Sequence, residues 1–102
     1  MVVSVTSAHS IALTGRLDVH SVSDVRDILH AAIDASVGDV HVDVSGVELV
    51  DATGLGVLVG ADRKAKRAGR RVVLRDVSPR LHRMLRATRL DRVLTLEAGA
   101  TA

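Results

Sequence analysis

The residues best placed to do chemistry lie in one short segment, Asp-Ala-Thr-Gly-Leu-Gly, at positions 51–56. Asp51 and Thr53 are residue types that cap the start of a helix, and the apolar pattern after them is helical. A helix start carries free backbone N–H groups and the positive end of the helix dipole. This segment is therefore predicted to be an exposed loop and helix start, and we expect the function to lie there.

Two further patterns are compatible with ligand binding but also have ordinary structural explanations. His41 and Asp43 share one face of a predicted strand, as metal ligands can, but a partly covered sheet face shows the same spacing. Gly54-x-Gly56 at a helix start is similar to a dinucleotide-binding fingerprint, yet the third glycine is Gly60, one residue late. Neither pattern predicts a ligand, and we expect no metal and no cofactor.

Four arginines at three-residue spacing lie on a predicted helix: Arg80, Arg83, Arg86 and Arg89. Cations in this arrangement can contact nucleic-acid phosphates, but the solvent face of any amphipathic helix has the same spacing. The chain has no helix-turn-helix pattern and no Phe, Tyr or Trp on which bases could stack. Nucleic acid is therefore not predicted as a partner.

Catalysis is not predicted either. No serine lies in a Gly-x-Ser-x-Gly elbow, the five histidines are scattered, and no phosphate loop with the lysine spacing of a P-loop is present. The absence of cysteine removes disulfides and thiolate metal sites. We expect a protein without enzymatic activity.

The elements that must position the 51–56 segment alternate between strands and helices. The first two strands are predicted to form a hairpin, and Gly15 is predicted to begin the exit from the sheet. A strand–helix–strand order follows, which predicts parallel pairing. The predicted fold is α/β: a single domain over residues 1–102 with a mostly parallel mixed sheet of four to five strands, an antiparallel edge and about three main helices. The predicted strands are 3–6, 10–14, 40–44, 71–75 and 92–96, and the predicted helices are 22–36, 54–68 and one beginning at Pro79.

Several helix boundaries have local signals. Ser21 with Asp24 is typical of a capping box, with Asp in place of Glu. Gly69 is a natural C-terminal residue after the second helix. Ser78 is predicted to cap the third helix, with Pro79 in its first position.

Glycines and the chain end lead to three further expectations. A turn at Ser45-Gly46 is predicted to end the third strand. Gly56 and Gly60 lie four residues apart on one helix face, which would let that helix approach the sheet closely. Residues 98–102 are predicted to fray.

Four segments, in the right order and spacing, resemble the single-domain STAS proteins that act as anti-sigma factor antagonists. Residues 50–56 resemble the family's Asp-Ser-Ser-Gly-Leu-Gly loop, and residues 13–18, Leu-Thr-Gly-Arg-Leu-Asp, resemble its Leu-Thr-Gly-Glu-Leu-Asp. Residues 69–74 and 77–79 are similar to its glycine-preceded strand and to its segment near the C-terminus. The resemblance covers nearly the whole chain.

The resemblance implies a protein-binding module that binds an anti-sigma factor of the kinase type and thereby releases a sigma factor. The interface that it implies comprises Gly15, Asp18, Asp51, Ala52, Thr53, Gly54, Leu55 and Gly56. Asp18 would lie near the Asp51 loop. Substituting Gly54 by Arg, or Leu55 by Asp, is expected to abolish binding while leaving the fold intact.

The chain departs from the family at the residue that the partner kinase phosphorylates. That position is Ala52, which has no hydroxyl, and Thr53 beside it has the only hydroxyl in the loop. Three interpretations follow: Thr53 takes the phosphate, the protein is permanently competent to bind, or it belongs to a STAS branch without this switch. Alanine imitates the unphosphorylated side chain in size and charge, which favours the second interpretation.

Charge and hydropathy bear on location and partners. Residues 1–50 have a net charge of −5 and residues 51–102 of +7, a polarity that can steer an acidic partner but also describes two solvated faces. No signal-peptide pattern and no stretch near the ~18 apolar residues of a membrane span are present. We expect a cytoplasmic protein that does not insert into membranes and is a monomer when free.

Two alternatives from other classes stay open. The chain could be a STAS subunit of a membrane lipid or anion transport assembly, which association with an ATPase subunit would reveal. It could instead bind a small ligand or nucleotide at the Gly54 helix start, which a thermal shift with nucleotides would reveal.

Overall fold

A five-stranded sheet with three helices forms the molecule in a computed structural model, which describes residues 1–7 and 9–97. The expected turn at positions 8–9 is therefore described only in part, and the expected fraying of residues 98–102 lies outside the described residues. The elements in chain order are β1 (Val2–Ser7), β2 (Ser10–Leu17), α1 (Val22–Ala35), β3 (Val40–Val50), α2 (Ala52–Arg67), β4 (Val72–Arg75), α3 (Pro79–Ala87), a 3-10 turn (Leu90–Arg92) and β5 (Thr95–Leu96).

The sheet is mixed, with its strands in chain order from β1 to β5. β1 and β2 form the antiparallel edge, while β2, β3, β4 and β5 pair in parallel. This arrangement confirms the predicted α/β class. The most buried strand is β4, whose Val-Val-Leu run is apolar throughout, as is typical of parallel strands covered on both faces.

β3 is longer than the sequence pattern predicts. It continues through Gly46 to Val50, so the turn expected at Ser45-Gly46 is wrong. At these residues the strand continues, and its register with β2 shifts. Gly46 allows this bulge: a Cβ on it would lie 2.9 Å from Thr14 Oγ1. β2 is longer as well, because Gly15 (φ +104°) stays inside the strand, so the predicted exit from the sheet at Gly15 is also wrong.

The helix boundaries follow local capping in most cases. Ser78 Oγ accepts a hydrogen bond from Leu81 N–H at 3.1 Å, and Gly69 takes the left-handed conformation (φ +74°) after α2, as predicted. The predicted capping box at Ser21 is wrong. The Ser21 hydroxyl donates to the Arg16 carbonyl at 2.8 Å instead, because the preceding turn brings that carbonyl within reach.

The core consists of aliphatic side chains from both helix and strand. α1 packs against α2, and the fully buried side chains include Leu17, Leu29 and Leu58. Each such side chain contributes about 1.5–3 kcal/mol on burial, so a core without aromatic residues is sufficient. The expected close approach at Gly56 and Gly60 is wrong, since a Cβ on either would have no neighbour within 4 Å.

Candidate functional site

Asp51 joins the end of β3 to the start of α2 and also to the β2–α1 connection. Its carboxylate Oδ1 accepts a hydrogen bond from Gly54 N–H at 2.8 Å, which caps α2 as the sequence predicts. Its Oδ2 accepts from Val19 N–H at 3.3 Å, and its own N–H donates to the Leu17 carbonyl at 3.2 Å. One side chain therefore holds two loops together that are more than thirty residues apart in sequence.

The same corner buries two residues that the sequence places in the interface. Gly54 is buried, and a Cβ on it would lie 2.9 Å from Leu17 Cγ and closer still to the Leu17 carbonyl oxygen. Leu55 is buried in the core. The expectation that Gly54→Arg or Leu55→Asp would leave the fold intact is therefore wrong, because both changes introduce groups for which the core has no space or no solvation.

The exposed part of the corner consists of Ala52, Thr53 and Gly56 from α2 together with Val19 and His20 from the β2–α1 connection. We call these five residues the loop surface. Val19 is 62% exposed and is the one large apolar side chain of the loop surface. Sequence reasoning missed Val19 and His20. The one available signal was the apolar residue directly after Leu17-Asp18, in a connection otherwise made of turn-forming residues.

Asp18 and Gly15 lie in different elements, the β2–α1 connection and β2 itself. Asp18 lies in the connection beside Asp51, and its carboxylate Oδ1 accepts from His20 N–H at 3.0 Å. The residue that bonds directly to Asp51 is its neighbour Val19. Gly15 lies within β2 opposite Val47, so the structure does not place it on the loop surface.

Thr53 presents an exposed hydroxyl in the first turn of α2. Within residues 1–7 and 9–97, no hydrogen bond involves this hydroxyl, and the first turn of α2 contains no acidic residue. A phosphate at this position would meet the positive end of the helix dipole. It would also lie two residues from the Asp51 carboxylate, which already occupies the Gly54 N–H.

The remaining patterns from the sequence concern metal ions, nucleic acid and membranes. In the part of the chain that the structure describes, no group of three or more His, Cys, Asp and Glu side chains is arranged to hold a metal ion. The four arginines at 80, 83, 86 and 89 are all exposed on α3 and the turn after it. No helix among the described residues is long and apolar enough to cross a membrane.

Comparison with known proteins identifies the family and the fold of this chain. The family model described as "Mlab, STAS domain" matches residues 1–96. An anti-sigma-B factor antagonist from Staphylococcus epidermidis is 28% identical over 91 residues, which cover 89% of this chain and 84% of that protein.

Solved structures share the fold at lower sequence identity. An anti-sigma factor antagonist from Mycobacterium paratuberculosis superposes with a TM-score of 0.75 at 23% identity, over 98% of this chain and 86% of that one. The Bacillus cell fate determinant SpoIIAA in its phosphorylated form gives 0.69 at 21% identity, over 94% and 89%. Because the family model matches nearly the full length of the described chain, this protein belongs to the STAS domain family.

Proposed function

We propose that this STAS domain is an anti-sigma factor antagonist that binds its partner through the loop surface. The observation that carries the proposal is the exposure of Ala52 and Thr53 at the start of α2, beside Val19. Ala52 and Thr53 are at positions that the family resemblance assigns to the partner contact, and Val19 is added to that surface by its exposure beside them. A patch with an exposed apolar side chain, a small helix face and free helix N–H groups is suited to a protein partner.

The partner in this proposal is an anti-sigma factor of the kinase type, and binding releases a sigma factor in the cytoplasm. The relatives named anti-sigma-B factor antagonists support an anti-sigma factor as the partner, since they match over most of both chains. The kinase type of that partner and the release of a sigma factor are part of the proposal. The free protein would be a monomer.

We further propose that the protein is permanently competent to bind. Ala52 has no hydroxyl, so a kinase directed at the family position finds no acceptor there. The neighbouring Thr53 is exposed, but it lies one residue beyond the position that the family resemblance assigns to the phosphate. A kinase that recognises the family position would have to accept a hydroxyl displaced by one residue along α2.

The decisive experiment incubates the purified protein with a candidate anti-sigma kinase and ATP, and it measures intact mass and binding in the same sample. Tight binding without a mass change is the expected result. A single phosphate on Thr53 that weakens the complex would show instead that the switch persists on the shifted hydroxyl. The variant Ala52→Ser is the positive control, because it restores a hydroxyl at the family position.

Failure to bind any candidate anti-sigma factor would contradict the proposal. The same preparation should then be tested for capture of an ATPase subunit of a membrane transport assembly, the alternative that the sequence leaves open. A thermal shift with purine nucleotides tests the small-ligand alternative separately, because that site would be the start of α2 itself.

A further inference from the structure

The β2–α1 connection, residues 18–21, is a closed turn that is capped from both ends. The Asp18 carbonyl accepts hydrogen bonds from Ser21 N–H and Val22 N–H, both at 3.0 Å. The Asp18 carboxylate Oδ1 accepts from His20 N–H at 3.0 Å, and the Asp18 N–H donates to Ser21 Oγ at 3.1 Å. Asp18 and Ser21 therefore cap each other reciprocally, three residues earlier than the pair of Ser21 with Asp24 that the sequence indicates.

The Ser21 hydroxyl links this turn to the end of β2. It accepts from the Asp18 N–H and donates to the Arg16 carbonyl at 2.8 Å, while the Asp18 carbonyl is farther away at 3.4 Å. A hydroxyl has one proton to donate, so the short bond to Arg16 fixes its orientation. Ser21 stands directly before α1, where a serine side chain commonly caps the helix, yet it makes no such bond to α1. Its hydrogen bonds therefore hold the connection and not the helix.

Val19 and His20 lie between the two capping residues, and both belong to the loop surface. Val19 N–H donates to Asp51 Oδ2, which ties the connection to the residue that caps α2. At 3.3 Å this bond is longer than a typical N–H···O bond, so a small displacement of Val19 would break it. Because the Val19 side chain is 62% exposed, packing contributes little to its position. The position of Val19 therefore depends on the hydrogen bonds made by Ser21.

We propose that Ser21 is a positioning residue for partner binding, because its hydroxyl holds the connection in the conformation that presents Val19 and His20 to the anti-sigma factor. Ser21 is itself partly buried and acts without touching the partner. Without the hydroxyl, the connection would sample other conformations, and only the fraction in the binding conformation would accept the partner. This inference rests on the proposed function, but the conformation of the connection can be measured without any partner.

The first measurement is amide hydrogen exchange by NMR on the free full-length protein. It compares Ser21→Ala, which removes the hydroxyl, with Ser21→Thr, which keeps one. The informative amide is that of Val19, because neither substitution touches its acceptor on Asp51. Its exchange should be about fivefold faster or more in the alanine variant, and within about twofold of the natural chain in the threonine variant.

Ser23→Ala is the matched control for this comparison. Ser23 is an exposed serine in the first turn of α1, and among residues 1–7 and 9–97 no hydrogen bond involves its side chain. The same substitution there should leave Val19 exchange unchanged. Thermal unfolding of each variant verifies that the protein is folded. Ser21→Cys, which has nearly the size of serine but is a poor hydrogen-bond donor and acceptor, replaces the alanine variant if that variant does not fold.

The second measurement uses the anti-sigma factor with which the natural chain forms a complex, and surface plasmon resonance separates association from dissociation. Ser21→Ala should lower the association rate about fivefold and leave the dissociation rate within about twofold, because the bound complex keeps its contacts. Val19→Asp changes a contact, so it should act mainly on the dissociation rate. A loss of stability alone would alter neither rate in a folded sample, and Ser23→Ala should alter neither.

Three results would each overturn the role of Ser21. One is unchanged exchange of the Val19 amide in Ser21→Ala. The second is failure of Ser21→Thr to restore both exchange and association. The third is an association rate that is the same in Ser21→Ala and in Ser23→Ala. A natural chain that binds no anti-sigma factor overturns the proposed function instead, and the exchange result then decides separately whether Ser21 holds the connection.

Discussion

Gly54 lies directly against Leu17, so that the start of α2 and the end of β2 meet without room for a methyl group between them. The Leu17 carbonyl that faces Gly54 also accepts the hydrogen bond from Asp51 N–H. Backbone atoms on both sides form this contact, and they cannot move aside as the end of a flexible side chain can. The contact therefore sets the position of the loop surface relative to the sheet.

Gly54→Ala is expected to destabilise the protein by about 2 kcal/mol or more, because the added methyl overlaps the Leu17 backbone. Urea denaturation measures the change. Gly56→Ala is the matched control in the same helix: its Cβ would meet no atom within 4 Å, so it should stabilise by about 0.5–1 kcal/mol. Equal stability of the two variants would show that the contact at Gly54 is not tight in solution.

Asp51→Ala should cost about 1–2 kcal/mol, since it removes the helix cap at Gly54 and the acceptor for Val19 N–H. Asp51→Asn keeps an oxygen acceptor for the cap and should retain most of the stability. Amide hydrogen exchange tests the two hydrogen bonds separately. The exchange rates of the Gly54 and Val19 amides should both increase in the alanine variant. If only Gly54 accelerates, Asp51 does not hold the β2–α1 connection.

Val19→Asp is expected to weaken binding to the anti-sigma factor about tenfold or more, because it places a charge within an apolar contact. Val19 is 62% exposed, so the thermal midpoint should change little. Val37→Asp is the control, since Val37 is entirely exposed in the connection after α1. Isothermal titration calorimetry with both variants distinguishes a local contact from a general effect of added negative charge.

Ala52→Ser should gain one phosphate from the partner kinase and lose affinity once modified, whereas the natural chain should gain none. The reason is the hydroxyl restored at the exposed first position of α2. Thr53→Val, which removes the remaining loop hydroxyl at similar volume, should gain no phosphate on the same incubation, as the natural chain gains none. Loss of a phosphate in Thr53→Val relative to the natural chain would contradict permanent binding competence.

Lys66→Met should destabilise the protein by about 2 kcal/mol, because it leaves the buried carboxylate of Asp62 without a counter-charge. Lys66 Nζ lies 2.9 Å from Asp62 Oδ2 but without good hydrogen-bond geometry, so the attraction is mainly between charges. Lys66 is about half exposed, which reduces the cost below that of a fully buried pair.

The double variant Asp62→Asn with Lys66→Met tests this explanation, because it removes both charges together. It should recover a large part of the lost stability in urea denaturation. If it recovers no stability relative to Lys66→Met alone, the main role of Lys66 is its 3.0 Å hydrogen bond to the Val93 carbonyl, which ties α2 to the segment before β5.

The sequence by itself determined the order of the elements and most helix boundaries. The caps at Asp51 and Ser78 and the left-handed residue at Gly69 depend on atoms within four residues of each other, so local pattern was sufficient. Periodicity and the strand–helix–strand order were likewise enough to predict the α/β class. The motif segments led to the family, because their order and spacing are properties of the chain alone.

Only the tertiary structure decided which residues of the 51–56 segment face outward. Gly54 is buried and Gly56 is exposed because Leu17, distant in sequence, packs against one and not the other. Burial of Asp62 in a helix that looks basic in sequence depends in the same way on where other elements pack. Local propensity cannot specify such contacts, since they arise from packing between segments that the chain brings together only on folding.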